Sequence, residues 1–245
     1  MKMSICVLGF DSTQDDKGKP LTFPDAWSYS RLSDYETCPA MFAYKHVIKI
    51  PTEDNEVFKY GRRIHKLAED YVNGVGSEEV PPELQKFATL FRELRGAKGV
   101  FTEEQWAFAQ DWSVTGWFAK PPKKAPWVRN VIDLGVLYAD EGHVLLIDHK
   151  TGKMRDTNED QIEQFAMSAF LRYPTVNTVE ARLWYIDSGD EVIRNYSREA
   201  LGDLKAKWKR RTEPMFNDKV FAPRKNPKCA YCDFSKKQGG PCRIA

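Results

Sequence analysis

The chain has 245 residues, enough for one large domain or a domain with an appendage, and its 37 basic and 35 acidic side chains leave a net charge of only +2,. Attraction to nucleic acid must therefore come from local patches rather than from overall charge. Five cysteines argue against a disulfide scaffold and suit metal binding in a reducing compartment, and the lack of a GxxxxGK[ST] run excludes a recognisable nucleotide-driven motor.

The opening MKMSICVLGF has the pattern of neither a signal peptide nor an anchor, so the expectation is a cytoplasmic protein without a membrane segment. Residues 1–26 read as an extended lead-in whose Pro- and Gly-containing run forms a loop. From Trp27 to Ile50, Ser28 or Ser30 can cap a helix that buries Leu32, Tyr35 and Cys38, and Pro39 begins a second helical turn. Taken alone, Cys38 is either a small buried hydrophobe or a ligand.

Phe58 to Val72 places Ile64, Leu67, Ala68 and Tyr71 at helical spacing. His65 lies beside that stripe with Gly61 one turn earlier, and reads alone as a packed or surface histidine or as a ligand. A further helix is expected from Glu83 to Arg95, after Pro81 and Pro82 and before Gly96. Phe101 to Trp112 reads as a strand with Glu104, Trp106 and Phe108 on one face, which puts Glu104 either at the edge of a site or at an exposed strand start. The following loop sets Lys120, Lys123 and Lys124 among prolines, between Trp117 and Trp127. That mixture suits a phosphate backbone with splayed bases, or simply a solvated loop.

Trp127 to Tyr138 is a strand that is apolar on both faces except for Asp133. A short turn at Ala139 to Gly142 leads into Val144 to Lys150, and the resulting antiparallel hairpin brings Asp133 near Asp148. Asp148 and Lys150, two positions apart, leave one face of the pleat. Buried charges at such a place need pairing or an ion, so the strand end is a candidate metal site with a cation beside it. Thr157-x-x-Asp160 resembles a capping box for a helix whose stripe is Ile162, Phe165, Ala166 and Ala169, with Gln161 in its first turn. Strands at Val179 to Ile186 and Glu191 to Tyr196 follow. The helix from Arg198 to about Arg211 buries Leu201, Leu204 and Trp208 and presents Lys205, Lys207, Lys209, Arg210 and Arg211 as a basic face.

The tail carries Cys229, Cys232 and Cys242 in a Gly- and Pro-rich stretch too short for a core of its own. A C-x2-C pair with a third cysteine nearby signals a metal or cluster site. Cys38 or Cys6 is available as the fourth ligand, and Cys38 is preferred because it belongs to a helix end.

Taken in order, YSRLSDYETCPAMF, GRRIH, VIDLG, IDHKTGK, QIEQF and the cysteine tail make the sequence resemble the PD-(D/E)xK nuclease superfamily. The likeness is to the RecB-like and AddB-like branch with a C-terminal iron-sulfur cluster, which includes exonucleases of CRISPR adaptation and of phages. It implies an α/β fold with a restriction-endonuclease-like core, a mixed central sheet flanked by helices. A cluster-binding subregion would join the N-terminal helix to the C-terminal tail. The expected divisions are a lead-in at 1–26, a helical part at 27–99, the core at 100–212 and the cysteine tail at 213–245.

The resemblance also implies a DNA exonuclease of phage or bacterial recombination, repair or replication, located in the host cytoplasm if phage-encoded. His65, Asp133, Asp148 and the backbone carbonyl of His149 would hold Mg²⁺ or Mn²⁺, and Asp133, Asp148, Lys150 and Gln161 would be the catalytic groups. Cys38, Cys229, Cys232 and Cys242 would hold a [4Fe-4S] cluster, with zinc as the alternative. DNA would be contacted by Lys120, Lys123, Lys124, Lys205 and Lys209, and recombination or replication proteins are expected partners. Phe165 stands where the family has tyrosine, and the gap before Cys242 is longer than usual. Two other readings remain open: a zinc-stapled nucleic-acid-binding module without catalysis, and a nuclease subunit active only in a larger assembly.

Overall fold

The computed structural model describes residues 23–53, 55–154 and 159–244, together with the backbone of residues 5–7 and 10–12. In chain order the first elements are β1 (Ile5–Val7), β2 (Phe10–Ser12), α1 (Tyr29–Thr37), α2 (Pro39–Phe42), α3 (Glu56–Val72) and α4 (Ala88–Leu94). There follow β3 (Val100–Phe108), β4 (Val114–Thr115), β5 (Val128–Tyr138), β6 (His143–Lys150) and α5 (Glu159–Arg172). β7 (Thr178–Tyr185), β8 (Asp190–Ser197) and α6 (Leu201–Asn217) complete the set. No helix among the described residues is long and apolar enough to cross a membrane.

The chain divides into two compact units, Asp54–Lys207 and a second made of Met1–Glu53 with Trp208–Ala245. The first is built on a six-stranded sheet of order β4-β3-β5-β6-β7-β8. Every pairing in it is antiparallel except β6 with β7. A parallel pair needs a long crossover, and α5 lies between the two strands in sequence to supply it.

One sheet face packs against α3 and α4. Ile64, Ala68, Tyr71 and Val72 from α3 meet Phe91 and Leu94 from α4, over Leu134, Val136, Ile147 and Trp184 of the strands. Burying each such large side chain contributes about 1.5–3 kcal/mol. The α3 stripe is that expected from the sequence, and the helix begins where the Asn55 side chain accepts the Phe58 N–H at 3.0 Å,.

The helix expected at Glu83 to Arg95 is instead a 3₁₀ turn (Pro82–Phe87) followed by the short α4. Phe87 breaks the regular path, with φ −117° and ψ 22°. The break lets both Leu84 and Phe87 enter the core. Close approach also decides Gly135: the Phe101 ring of β3 lies over it where a Cβ would sit. Thr157 of the expected capping box lies outside the described residues. α5 itself is buried on several sides, through Ile162, Phe165, Ala166, Met167, Ala169 and Phe170.

In the second unit, Ser28 caps α1, its side chain accepting the Arg31 N–H at 3.4 Å. Phe42, Tyr35, Phe23 and Phe221 form a ring cluster, with Phe42 and Phe221 stacked at 5.9 Å. Trp27 stacks on Trp208 at 5.8 Å. Arg211 grips Glu36 through two hydrogen bonds of 2.9 and 2.8 Å. In the first unit, Lys207 is bound to Glu163 at 2.7 Å. Two members of the expected basic helix face thus serve internal ion pairs, because carboxylates from neighbouring elements lie within their reach. Cys6 and most of the expected lead-in fall outside the residues whose side chains are described.

Candidate active site

β5 and β6 pair as far as Leu134 opposite Ile147. Beyond that step the strands carry Asp133 and Asp148. The Asp148 side chain is held by its neighbours: Gln161 Nε2 donates to Oδ1 at 2.9 Å and Lys150 Nζ lies 2.5 Å from Oδ2. Lys150 Nζ also donates to Gln161 Oε1 at 2.7 Å, which closes a three-membered ring of contacts. The amide can face only one way, since an ammonium has no lone pair to offer and a carboxylate no proton.

Asp148 is 2% exposed. Its Oδ2 touches the ammonium, and among the described residues no second donor reaches it. We read that contact as an ion pair that leaves lone pairs open to a cation. Burial first, and the Asp133 charge with it, push the Asp148 carboxyl up to about 6 against the pull of Lys150. Burial works against the Lys150 ammonium, yet the Asp148 and Asp133 charges outweigh it and hold the pKa above the usual lysine value. Lys150 is therefore a proton-bearing cation.

His65 comes from α3. Its Nε2 lies 3.1 Å from the His149 carbonyl oxygen, and its Nδ1 is 3.3 Å from Asp133 Oδ2 and 3.9 Å from Glu103 Oε1. Both ring nitrogens face acceptors, so both carry protons. Burial opposes this charge, but the Asp133 and Glu103 contacts and the Asp148 field push His65 up to about 10. Burial raises the Asp133 carboxyl, but His65 and the His149 N–H, which donates to Oδ2 at 2.9 Å, outweigh it and leave the pKa lowered.

His149 points away from Asp148, into Phe91 and Trp184, and burial drives its imidazole down to about 4. Its Nε2 has no hydrogen-bond partner. Among the described residues, the trio whose ligand atoms all lie within 4.8 Å of one another is His65, Asp133 and His149.

The structure thus gathers His65, Asp133, Asp148, His149, Lys150 and Gln161. Glu104 is placed differently, with its carboxylate 3.4 Å from both Arg172 Nη2 and the Tyr173 hydroxyl. Glu103 is the acid that reaches His65, and nothing in the sequence singled it out. Lys120 and Lys123 are exposed on their loop, whereas Lys124 is paired with Asp111. Lys205 is half-buried and Lys209 exposed.

In the second unit, Cys38, Cys229, Cys232 and Cys242 are free thiols that line one cavity of about 20 Å³ together with Tyr44 and Phe234. Cys38 stands between α1 and α2, and Cys242 is held by its N–H to Phe234 O at 2.9 Å. Backbone N–H groups of Arg224 and Asn226 point at the Cys38 and Cys229 sulfurs, at 3.3 and 3.4 Å. Burial, followed by the other three cysteines, raises the Cys232 thiol. Four sulfurs lining one cavity make a potential ligand set for a metal or cluster,.

A mixed sheet with an acid on each of two adjacent antiparallel strands, a lysine two residues after the second and a helix glutamine across from both defines a restriction-endonuclease-like α/β fold. The chain belongs to the PD-(D/E)XK nuclease superfamily, which it matches over residues 26–236. Members of that superfamily use divalent metals and act on nucleic acid. No curated protein compared with the chain matches it in sequence. Among solved structures, one named SSO0001 is 13% identical, with 92% of this chain and 90% of that one covered and a TM-score of 0.42. A candidate exonuclease from Eubacterium rectale is 10% identical, with 90% of each chain covered and a TM-score of 0.48.

Proposed function

We propose that the chain is a Mg²⁺- or Mn²⁺-dependent deoxyribonuclease of the RecB-like branch, an exonuclease serving recombination, repair or replication of a phage or bacterial genome. The observation that carries this reading is the ring of Asp148, Lys150 and Gln161 beside Asp133 and His65. A charged ring of this kind, taken out of water at a strand end, is costly to fold and has no structural purpose that an apolar set would not serve better.

The donor set fits a hard divalent ion. Asp148 Oδ2 is buried with the Lys150 ammonium as its contact, and His65, Asp133, Asp148 and the His149 carbonyl offer the oxygen and imidazole ligands that such ions take. When bound there, the ion supplies Lewis acidity toward a phosphate oxygen and lowers the pKa of a water. Lys150, kept protonated by the two acids, donates to the attacked phosphate and stabilises the charge that grows on it. An ammonium cannot also serve as the base. Gln161 holds Lys150 and Asp148 in register, so that a change at either is felt by the other.

DNA as substrate is supported by the loop before β5. Phe118 is 78% exposed there, and the Arg129 guanidinium lies over Trp117 and Phe118 at 5.5 and 5.6 Å. Exposed aromatics next to Lys120 and Lys123 suit stacked bases and phosphates. β5 runs antiparallel to β6, so this loop lies at the end of the sheet toward which Asp148 and Lys150 project.

For the cysteines the reading is a [4Fe-4S] cluster held by Cys38, Cys229, Cys232 and Cys242. A tetrahedral zinc centre, with Zn–S of about 2.3 Å, draws its sulfurs to about 3.8 Å from one another. Zinc is the rival occupant, since soft thiolates accept either metal. Iron and sulfide assays of the purified protein distinguish it from zinc.

End-labelled single- and double-stranded DNA incubated with Mn²⁺, and separately with EDTA, tests the main reading. Shortening of labelled strands only with the ion, and its loss in Asp148→Ala and Lys150→Ala, is expected. Degradation at the parental rate by either folded variant would sink it.

A further inference from the structure

β3 changes course at Glu103. Its φ of 48° lies in the left-handed region that side chains other than glycine avoid,. The distortion falls where pairing with β5 lapses: Thr102 stands opposite Leu134 and Glu104 opposite Ile132, so the skipped step faces Asp133. It also breaks the strand's alternation. The Glu103 carboxylate therefore reaches His65, while Glu104 turns to Arg172 and Tyr173.

The two nitrogens of His65 have different surroundings. Nε2 is 3.1 Å from the His149 carbonyl oxygen, itself one of the candidate ligands. Nδ1 faces Asp133 Oδ2 at 3.3 Å and Glu103 Oε1 at 3.9 Å. A metal-binding imidazole carries its single proton on the other nitrogen, and that N–H needs an acceptor. Asp133 Oδ2 already accepts the His149 N–H at 2.9 Å, and on the reading above it also turns to the metal. His65 is the ion-pair partner of Glu103 among the described residues, so this carboxylate has no competing duty there.

We infer that Glu103 is a positioning residue whose carboxylate takes the His65 Nδ1–H and holds the imidazole with Nε2 toward the divalent ion. The inference rests on the metal site proposed above. The Glu103 contact, at 3.9 Å, is longer than a hydrogen bond, and Asp133 Oδ2 at 3.3 Å competes for the same proton. Once Asp133 is engaged elsewhere, the N–H is left to Glu103.

The test is Mn²⁺ titration of the full chain by calorimetry, with no DNA present. Glu103→Gly removes the carboxylate but accepts the positive φ, so its urea midpoint is expected at or above the parental one. Its Mn²⁺ dissociation constant is expected to rise about tenfold. Glu103→Gln keeps an acceptor for the N–H and is expected to recover at least half of that loss on a logarithmic scale. Should Glu103→Gly fold poorly, Glu103→Asn takes its place, since asparagine also tolerates this φ. Parental affinity in Glu103→Gly, or equal losses in the Gly and Gln variants, overturns the inference. Asp133→Asn, run alongside, is expected to bind Mn²⁺ far more weakly. If it too binds like the parent, the metal site itself has failed and the inference falls with it.

Discussion

Gln161 is the residue whose replacement gives the sharpest reading of the site. In Gln161→Glu the donor that stands 2.9 Å from Asp148 Oδ1 becomes an oxygen, with almost no change of shape. Two carboxylates whose charges lie about 4 Å apart repel by about 4 kcal/mol at an effective dielectric constant near 20. That equals about three pKa units. Because one side of Gln161 is open to water and Lys150 remains next to both acids, the figure is a ceiling.

The pair therefore keeps one proton well above the value of about 6 that Asp148 has now. The linkage follows from the direction of the shift. A carboxyl whose folded pKa exceeds its unfolded value favours folding at low pH and loses that contribution as pH rises through the folded pKa. Metal-free Gln161→Glu is expected to match the parent in urea unfolding at about pH 5, then to fall behind by up to about 4 kcal/mol as pH climbs toward about 9. Its DNA cleavage should move to higher pH in the same way. Urea midpoints that track the parental ones at every pH would refute the claim that Gln161 faces a buried carboxylate.

Three further outcomes are expected. Mn²⁺ must displace a proton from His65, whose pKa is pushed up to about 10 in the metal-free site. Its affinity should rise with pH between about 7 and 9, with release of about one proton per ion in buffers of different ionisation enthalpy. In the second unit, Cys232→Ser should cost solubility and folding, since the proposed cluster would tie Cys38 to Cys229 and close a loop of about 190 residues, worth up to about 5 kcal/mol. Iron content and the urea midpoint should fall together; a variant that unfolds like the parent while lacking iron would show the thiol site to be dispensable for folding. Burial raises the Asp34 carboxyl, but His46 at 2.8 Å and Lys45 at 2.9 Å outweigh it and leave its pKa below the usual 3.8. Its stabilising effect is thus complete above that value and is lost as pH falls through the depressed one. The stability gap between parent and Asp34→Asn should be widest near neutrality and close in acid, as followed by circular dichroism.

Much of this architecture can be read from local pattern. Helical spacing in Phe58 to Val72 locates the buried face of α3, and the short turn after Tyr138 places Asp133 and Asp148 on neighbouring antiparallel strands. Gln161 is identifiable because it falls in the first turn of the helix expected after β6 and in the QIEQF segment,.

Other features depend on tertiary context that no window of sequence contains. In the Glu103–Glu104 pair, simple alternation favours Glu104, which aligns with Trp106 and Phe108, but the positive φ at Glu103 reverses the choice. Such a distortion is imposed by what lies across the strand. Lys124, Lys207 and Arg211 read as open basic groups until the fold brings Asp111, Glu163 and Glu36 against them. The 3₁₀ turn before α4 belongs to the same class, because it exists to seat Leu84 and Phe87 together.

The order of the two units along the polypeptide has a consequence for biosynthesis. Asp54–Lys207 is one unbroken stretch, whereas its companion is assembled from segments on either side of it. On a translating ribosome the sheet and its acids emerge whole while the thiol-bearing unit still lacks three of the four cysteines that line its cavity,. Maturation of that unit is therefore necessarily the later event, and a chain cut short after α6 would carry the full set of acids, lysine and glutamine without the means to close the other half.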